Sequence, residues 1–244
     1  TGEFDIEITG FNYDDLEKII GYERSSGNGV ETPEAQIDKA DELQKKWKIE
    51  RGQIWKIGEH RLMCGDSTIS TNVKKLMGGK RAQMMFTDPP YGVGYDGGHF
   101  HSGNVNIKRA RPKLHADDTS AIYGLFLPIV LPFVDGPCYT WFAGSEGKTI
   151  FCAIADAGCE IHALLIWNKI NATYAAMNAQ YKQRHEPCLY FKPKKSTLRW
   201  IGPTDECTVW DIKRDSVNGL HPTQKPVELA HRAISNHDAK IIVD

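Results

Sequence analysis

The sequence predicts an α/β domain with a mainly parallel sheet, and three observations carry that expectation. Beyond Gly52, short apolar runs bounded by glycines alternate with stretches of helical spacing, the pattern that strand–helix–strand crossovers produce. Residues 82–87 read as a buried strand that stops abruptly at Asp88-Pro89-Pro90-Tyr91, because paired prolines fix φ and offer no backbone donor to extend a ladder. Acidic residues then fall where strands end, Asp66 after one and Asp88 after another, which is where sheets of this kind hold ligands.

Taken in order, residues 1–48 read as an appendage and linker, and residues 49–244 as the main domain. Asn12 stands ahead of Leu16, Ile19 and Ile20 as the cap of a short amphipathic helix. Ser25-Ser26-Gly27-Asn28-Gly29 marks a linker, and residues 33–47 a second, charged helix. Residues 53–58 and 60–66 suit a hairpin turning near Gly58-Glu59. Asp66-Ser67-Thr68 is expected to cap a helix that runs to about Leu76 and ends at Gly78-Gly79. After the strand of residues 82–87, residues 119–131 read as a helix bent at Pro128, 137–142 as a strand and 144–157 as a helix. Residues 160–167 and 186–191 are two further strands, 226–235 a helix and 239–243 the last strand.

Bulk composition narrows the classes. With 41% hydrophobic and 25% charged residues the chain can bury one good core, and no apolar run approaches the length of a membrane span. Six cysteines without a C-x-x-C pair indicate neither a zinc site nor a disulfide framework, and a reducing, cytoplasmic setting is the default. His99, His101 and His115 have no ligand-like partners, so no metal is expected. The net charge of −1 advertises no nucleic-acid partner, but local charge does better. Lys108, Arg109, Arg111 and Lys113 lie in a glycine-flanked stretch, residues 97–117, with neither helical nor strand period. Such a mobile basic loop reads either as a solvated surface or, this close to the prolyl turn, as a phosphate contact.

The prolyl turn lifts a carboxylate and an aromatic ring out of the sheet edge. Alone, it also fits a proline-rich surface turn. It has company: His60-Arg61-Leu62-Met63-Cys64-Gly65-Asp66-Ser67 before it, then Trp167-Asn168-Lys169, His185-Glu186 and His221-Pro222-Thr223-Gln224-Lys225-Pro226. These elements, in this order, resemble the DNA amino-methyltransferases, which transfer a methyl group from S-adenosylmethionine to adenine N6 or cytosine N4. The layout is similar to their permuted β group, phage-type modification methylases included, in which the cofactor loop comes last. The resemblance spans roughly residues 50–244. It implies a Rossmann-like S-adenosylmethionine-dependent methyltransferase sheet acting on double-stranded DNA.

Residue by residue, the resemblance makes Asp88, Pro89, Pro90 and Tyr91 the catalytic tetrad. It places Asp66, Asp88, Thr223, Gln224, Lys225 and Asp244 at the cofactor, and Trp167, Lys169 and His185 on the wall of the target-base pocket. Lys108, Arg109, Arg111 and Lys113 would meet phosphates, and residues 197–218, flanked by Trp200 and Trp210, would be a short target-recognition segment. The chemistry suits the tetrad, because an exocyclic base amine is a poor nucleophile whose lone pair is delocalised into the ring. A carboxylate accepting one N–H and a proline carbonyl accepting the other favour a pyramidal nitrogen, while Tyr91 can stack on the base. An Asp in first place leans towards adenine, since the cytosine enzymes more often carry Ser there.

The resemblance also has gaps. The family continues past Ile241-Ile242-Val243-Asp244 into a glycine-rich cofactor loop, whereas this sequence begins at Thr1 and stops at Asp244, so a domain truncated before that loop is expected. Residues 4–20 resemble the tail of a ParB-like domain. The alternatives left open are a truncated, catalytically incompetent DNA-binding fragment, or methylation of cytosine N4, RNA or protein glutamine. Homodimerisation stays open too.

Overall fold

The structure is a computed structural model, and it describes residues 40–91, 121–170, 180–213 and 225–244. The expected helix near Leu16, the basic loop of residues 97–117, Thr223 and Gln224 lie outside the described residues. Two compact units appear, Asp66 and Lys225 belonging to one, the tetrad and Asp244 to the other.

In the first unit, helix α1 (Ala40–Trp47) precedes strands β1 (Ile54–Ile57) and β2 (His60–Met63). The two strands pair antiparallel, with Ile57 opposite His60, as the hairpin reading expects. Gly58 makes the turn at φ 56, a left-handed conformation that glycine adopts without steric cost.

The second unit opens with α2 (Ser70–Met77), which corrects the capping expectation. Its N-cap is Ile69, in extended conformation and without a side-chain cap bond. A capping oxygen must reach the N–H groups of the first turn, and Asp66-Ser67-Thr68 precede that turn. The far end behaves as expected: Gly78 adopts φ 55 and its N–H closes on the Lys74 carbonyl.

Beyond α2 the described elements are β3 (Met84–Thr87), α3 (Ile122–Val130), β4 (Cys138–Trp141), α4 (Gly147–Asp156), β5 (Cys159–Asn168), β6 (His185–Pro193), β7 (Val209–Asp211), α5 (Val227–Ser235) and β8 (Ile242–Val243). Pro128 falls inside α3. The sheet order is β7-β5-β6-β4-β3-β8. β3 runs parallel to β4 and β8, and β7 parallel to β5, whereas β6 is antiparallel to both neighbours. Most pairings are therefore parallel, with one reversed strand in the middle. Strand β7, inside residues 197–218, was not expected from the sequence; three residues are too few to show a period.

Alternation along β3 sends Met84 and Met85 to opposite faces, and a core grows on each. Met85 joins Val73, Phe126, Leu127, Ile150 and Ile154, so α2, α3 and α4 cover one face. Met84 joins Tyr139, Trp141, Trp167, Trp210 and Leu229, with α5 as cover. The result is a three-layer α/β arrangement. Each buried aromatic removes 150–250 Å² from water, at most about 4–6 kcal/mol apiece, so the aromatic face is a heavily anchored one.

The amino end of β3 is pinned. Gln83 N–H donates to the Ile241 carbonyl at 2.7 Å, and its side-chain Oε1 accepts from Lys240 N at 2.7 Å and Ile241 N at 3.3 Å. Gly136, entering β4, passes so close that a Cβ there would stand 1.8 Å from the Gln83 carbonyl oxygen. Only glycine allows that approach.

Candidate active site

β3 delivers the tetrad. Thr87 is still buried, Asp88 is exposed, and Pro89, Pro90 and Tyr91 are half-buried as the chain leaves the sheet. Tyr91 folds back so that its hydroxyl donates to Asp88 Oδ1 at 2.8 Å, with Glu186 Oε2 at 3.4 Å on the other side. Burial above all, then the negative charges of Asp88 and Glu186, hold the phenol far above its ordinary range. Tyr91 therefore stays protonated and acts as a donor.

Glu186 sits near the start of β6 and pairs through Oε1 with the Lys169 ammonium, just beyond β5. That ammonium also lies 5.1 Å from the ring centroid of Trp167, within cation–π range. Trp167 is buried, its indole N–H donates to the Ile212 carbonyl at 2.7 Å, and it meets Trp141 edge-on at 6.3 Å. The turn carrying Lys169 is strained. Ile170 adopts φ 64, an outlier for a β-branched residue. Asn168 clamps the turn: its Oδ1 accepts from Ile170 N at 3.3 Å, and its Nδ2 donates to Asp211 Oδ1 at 2.6 Å. Strand β7 thus supports the turn from the sheet edge.

The structure brings the tetrad, Lys169 and Trp167 together. Trp167, 2% exposed, is the floor of the wall, and Lys169, 8% exposed, is paired with Glu186. His185 is exposed and stands opposite Asn168 in the ladder. Glu186, and not its neighbour, reaches Tyr91, since successive residues of a strand point to opposite faces. Sequence reasoning singled out the His185-Glu186 pair and named His185 as the contact; the link from Glu186 to Tyr91 is what it missed. No local signal tells which of the two faces a residue 95 positions away.

On the other flank of β3, Asp244 directly follows β8. The residue is exposed overall, but its carboxyl is crowded, and burial raises its protonation range first, with the charge of Asp88 adding and a hydrogen bond to the Thr87 side chain opposing. Thr87, Pro89, Pro90 and Asp244 rim a cavity of about 90 Å³ whose apolar walls include Met85, Ile122, Phe126 and Val130. Asp66 and Lys225 are half-buried in the other unit. Thr223, Gln224, Lys108, Arg109, Arg111 and Lys113 fall outside the described residues. Among the described residues there is no cluster of His, Cys, Asp or Glu suited to a metal, and no helix is long and apolar enough to cross a membrane.

Among solved structures, the M1.HpyAVI–SAM complex is 18% identical with a TM-score of 0.47, covering 69% of this chain and 73% of that one. The structure of M1.HpyAVI gives 18%, 0.46, 69% and 72%. No curated protein matches the chain. The model of the DNA methylase family N6_N4_Mtase matches residues 82–244, a span that takes in β3, the tetrad, the Lys169–Glu186 wall and β8. The chain belongs to this family of DNA methylases.

Proposed function

We propose that the chain transfers the methyl group of S-adenosylmethionine to the exocyclic amine of a base flipped out of double-stranded DNA, with adenine N6 as the acceptor. Family membership supplies the methylase reading. The observation that carries the finer one is the Asp88 carboxylate at the carboxyl end of β3, oriented by the Tyr91 hydroxyl and followed by Pro89. Asp in the first tetrad position favours adenine over cytosine.

Bound cofactor supplies an electrophilic methyl group on a sulfonium. The residues present suit it: carboxylates at the ends of β3 and β8 offer acceptors for amine and hydroxyl groups, and Met85, Ile122, Phe126 and Val130 offer an apolar surface. At about 90 Å³ the cavity is one corner of such a site, since small-molecule pockets run to roughly 300–1,000 Å³. The family resemblance also names Asp66, Thr223, Gln224 and Lys225 as cofactor contacts.

The protein's own part is orientation. Asp88 accepts one amine N–H and the Pro89 carbonyl the other, so the nitrogen lone pair turns out of the base plane and towards the methyl donor. Asp88 then holds the proton that the amine must lose. A ring stacked on the exposed part of Tyr91 would gain about 1–3 kcal/mol, comparable with the few kcal/mol that extruding a base costs. Alignment of the two reacting centres supplies much of the rate.

The test incubates the chain with tritium-labelled S-adenosylmethionine and duplex DNA, digests the product to nucleosides and identifies the labelled base. N6-methyladenine is expected. N4-methylcytosine would overturn the adenine reading, and label entering only RNA or protein would overturn the DNA substrate. Calorimetry with S-adenosylmethionine gives a second check, because no heat at millimolar cofactor would sink the catalytic reading for this chain.

A further inference from the structure

The reaction as proposed uses Asp88, Pro89 and Tyr91, and it leaves Glu186 and Lys169 without a task. We infer that the Glu186–Lys169 ion pair is a positioning element: it fixes which carboxylate receives the Tyr91 proton, and so orients Asp88 for the incoming amine. This rests on the reading of Asp88 as the residue that meets the base.

Among the described residues, the Tyr91 hydroxyl has two carboxylates within reach of its one proton, Asp88 Oδ1 at 2.8 Å and Glu186 Oε2 at 3.4 Å. Two bare carboxylates facing one hydroxyl would repel each other and compete for that proton. Lys169 removes the competition by holding the other oxygen of Glu186. The attraction is strengthened by its surroundings, because both side chains are largely withdrawn from solvent over the buried Trp167 ring. Lys169 is also held in place from behind. Its N–H donates to the Arg184 carbonyl at 2.8 Å, and the next residue, Ile170, is kept in a left-handed conformation that β-branched side chains disfavour. A strained turn clamped by Asn168 and Asp211 spends stability to put one ammonium on one carboxylate. The Tyr91 proton is thereby left to Asp88, and that hydrogen bond orients the Asp88 carboxylate.

The experiment compares Lys169→Met, Glu186→Gln and the double variant in the full chain. ¹³Cζ-tyrosine labelling reports the Tyr91 hydroxyl directly, its resonance assigned by its loss in Tyr91→Phe. In Lys169→Met, Glu186 without its ammonium draws the proton more strongly, and the Tyr91 resonance moves; the double variant, with both charges gone, returns it to the wild-type position. In parallel, Lys169→Met lowers kcat by about 10–100-fold with KM for DNA within about threefold, and the double variant recovers most of that loss. A purely structural pair would instead give additive losses of thermal stability, with kcat following the folded fraction. An unmoved Tyr91 resonance in Lys169→Met, or a double variant no better than that single one, overturns the inference. Wild-type activity abolished by Asp88→Ala keeps the underlying reading intact in that case. If wild-type chain methylates no nucleic acid, the underlying reading fails, and the resonance shift alone still decides whether the pair sets the Tyr91 proton.

Discussion

At the amino end of β3, Gln83 closes onto β8 through backbone and amide hydrogen bonds, and Gly136 presses against it with no side chain between. At the carboxyl end, Asp88, Tyr91, Glu186 and Lys169 link β3, β6 and the turn after β5 through titratable side chains. One end is joined by neutral groups that gain nothing from moving. The other concentrates charge, a strained φ at Ile170 and a half-buried phenol, all of which cost folding free energy. The difference separates what holds the sheet from what would handle a substrate. It also makes a demand: damage at the carboxyl end should appear in turnover, and damage at the amino end or in the core should appear in stability.

The largest expected effect is on turnover. Asp88→Ala should lower methyl transfer by about 10²–10³-fold or more, the range for losing one aligned polar group at a reacting centre. DNA affinity, read by filter binding, should stay within about threefold, because phosphate contacts dominate it. Residual transfer above a tenth of wild type would break the assignment of Asp88. Trp167→Ala lies on the other side of the comparison. Removing a buried indole that also floors Lys169 should cost about 3–5 kcal/mol in urea unfolding. A loss below about 1 kcal/mol would mean that the wall stands without its floor.

How much of this could be read from residues alone differs between the same two ends. The position of Asp88 was legible because an apolar run stopped by two prolines cannot continue as a central strand, and the helix opening at Pro226 was legible because proline favours a first turn. Gly78 announced the end of α2 for a similar local reason. The wall was only half legible. Trp167, Lys169 and the His185-Glu186 pair were singled out, but their coupling to Tyr91 spans about a hundred residues and depends on β6 lying antiparallel between β5 and β4. A strand's direction within a sheet leaves no mark on its period-two pattern. The clamp from Asp211 was invisible for the same reason, since β7 is too short to show any pattern.

A smaller effect is expected at the amino end. Gly136→Ala must displace either its own turn or the Gln83 carbonyl, since the new Cβ would lie 1.8 Å from that oxygen. Overpacking of this kind costs about 1–3 kcal/mol. The shift should appear in the urea midpoint, with kcat per folded molecule unchanged. If Gly136→Ala instead abolished transfer while leaving the midpoint in place, the division between a holding end and a working end would fail.

The smallest effect is a dependence on pH, and it tests the division from the aromatic face. His237 is buried beneath that face, its Nε2 2.9 Å from the Tyr139 hydroxyl and its Nδ1 2.6 Å from the Leu198 carbonyl. A carbonyl only accepts, so Nδ1 carries the hydrogen, Nε2 accepts from Tyr139, and the ring is neutral. Burial lowers its protonation range, with the Leu198 bond opposing. A histidine depressed in the folded state contributes stability that is fully present above its unfolded pKa of about 6.5 and is lost as pH falls through the lower folded value. Wild type should therefore lose urea stability between neutral pH and about pH 5, and His237→Gln, though less stable at neutral pH, should lose less over that interval. Parallel decline of the two proteins would show that acid enters by another group. The carboxylates at the working end would then be the first to suspect, and the neat assignment of stability to one end and turnover to the other would have to be given up.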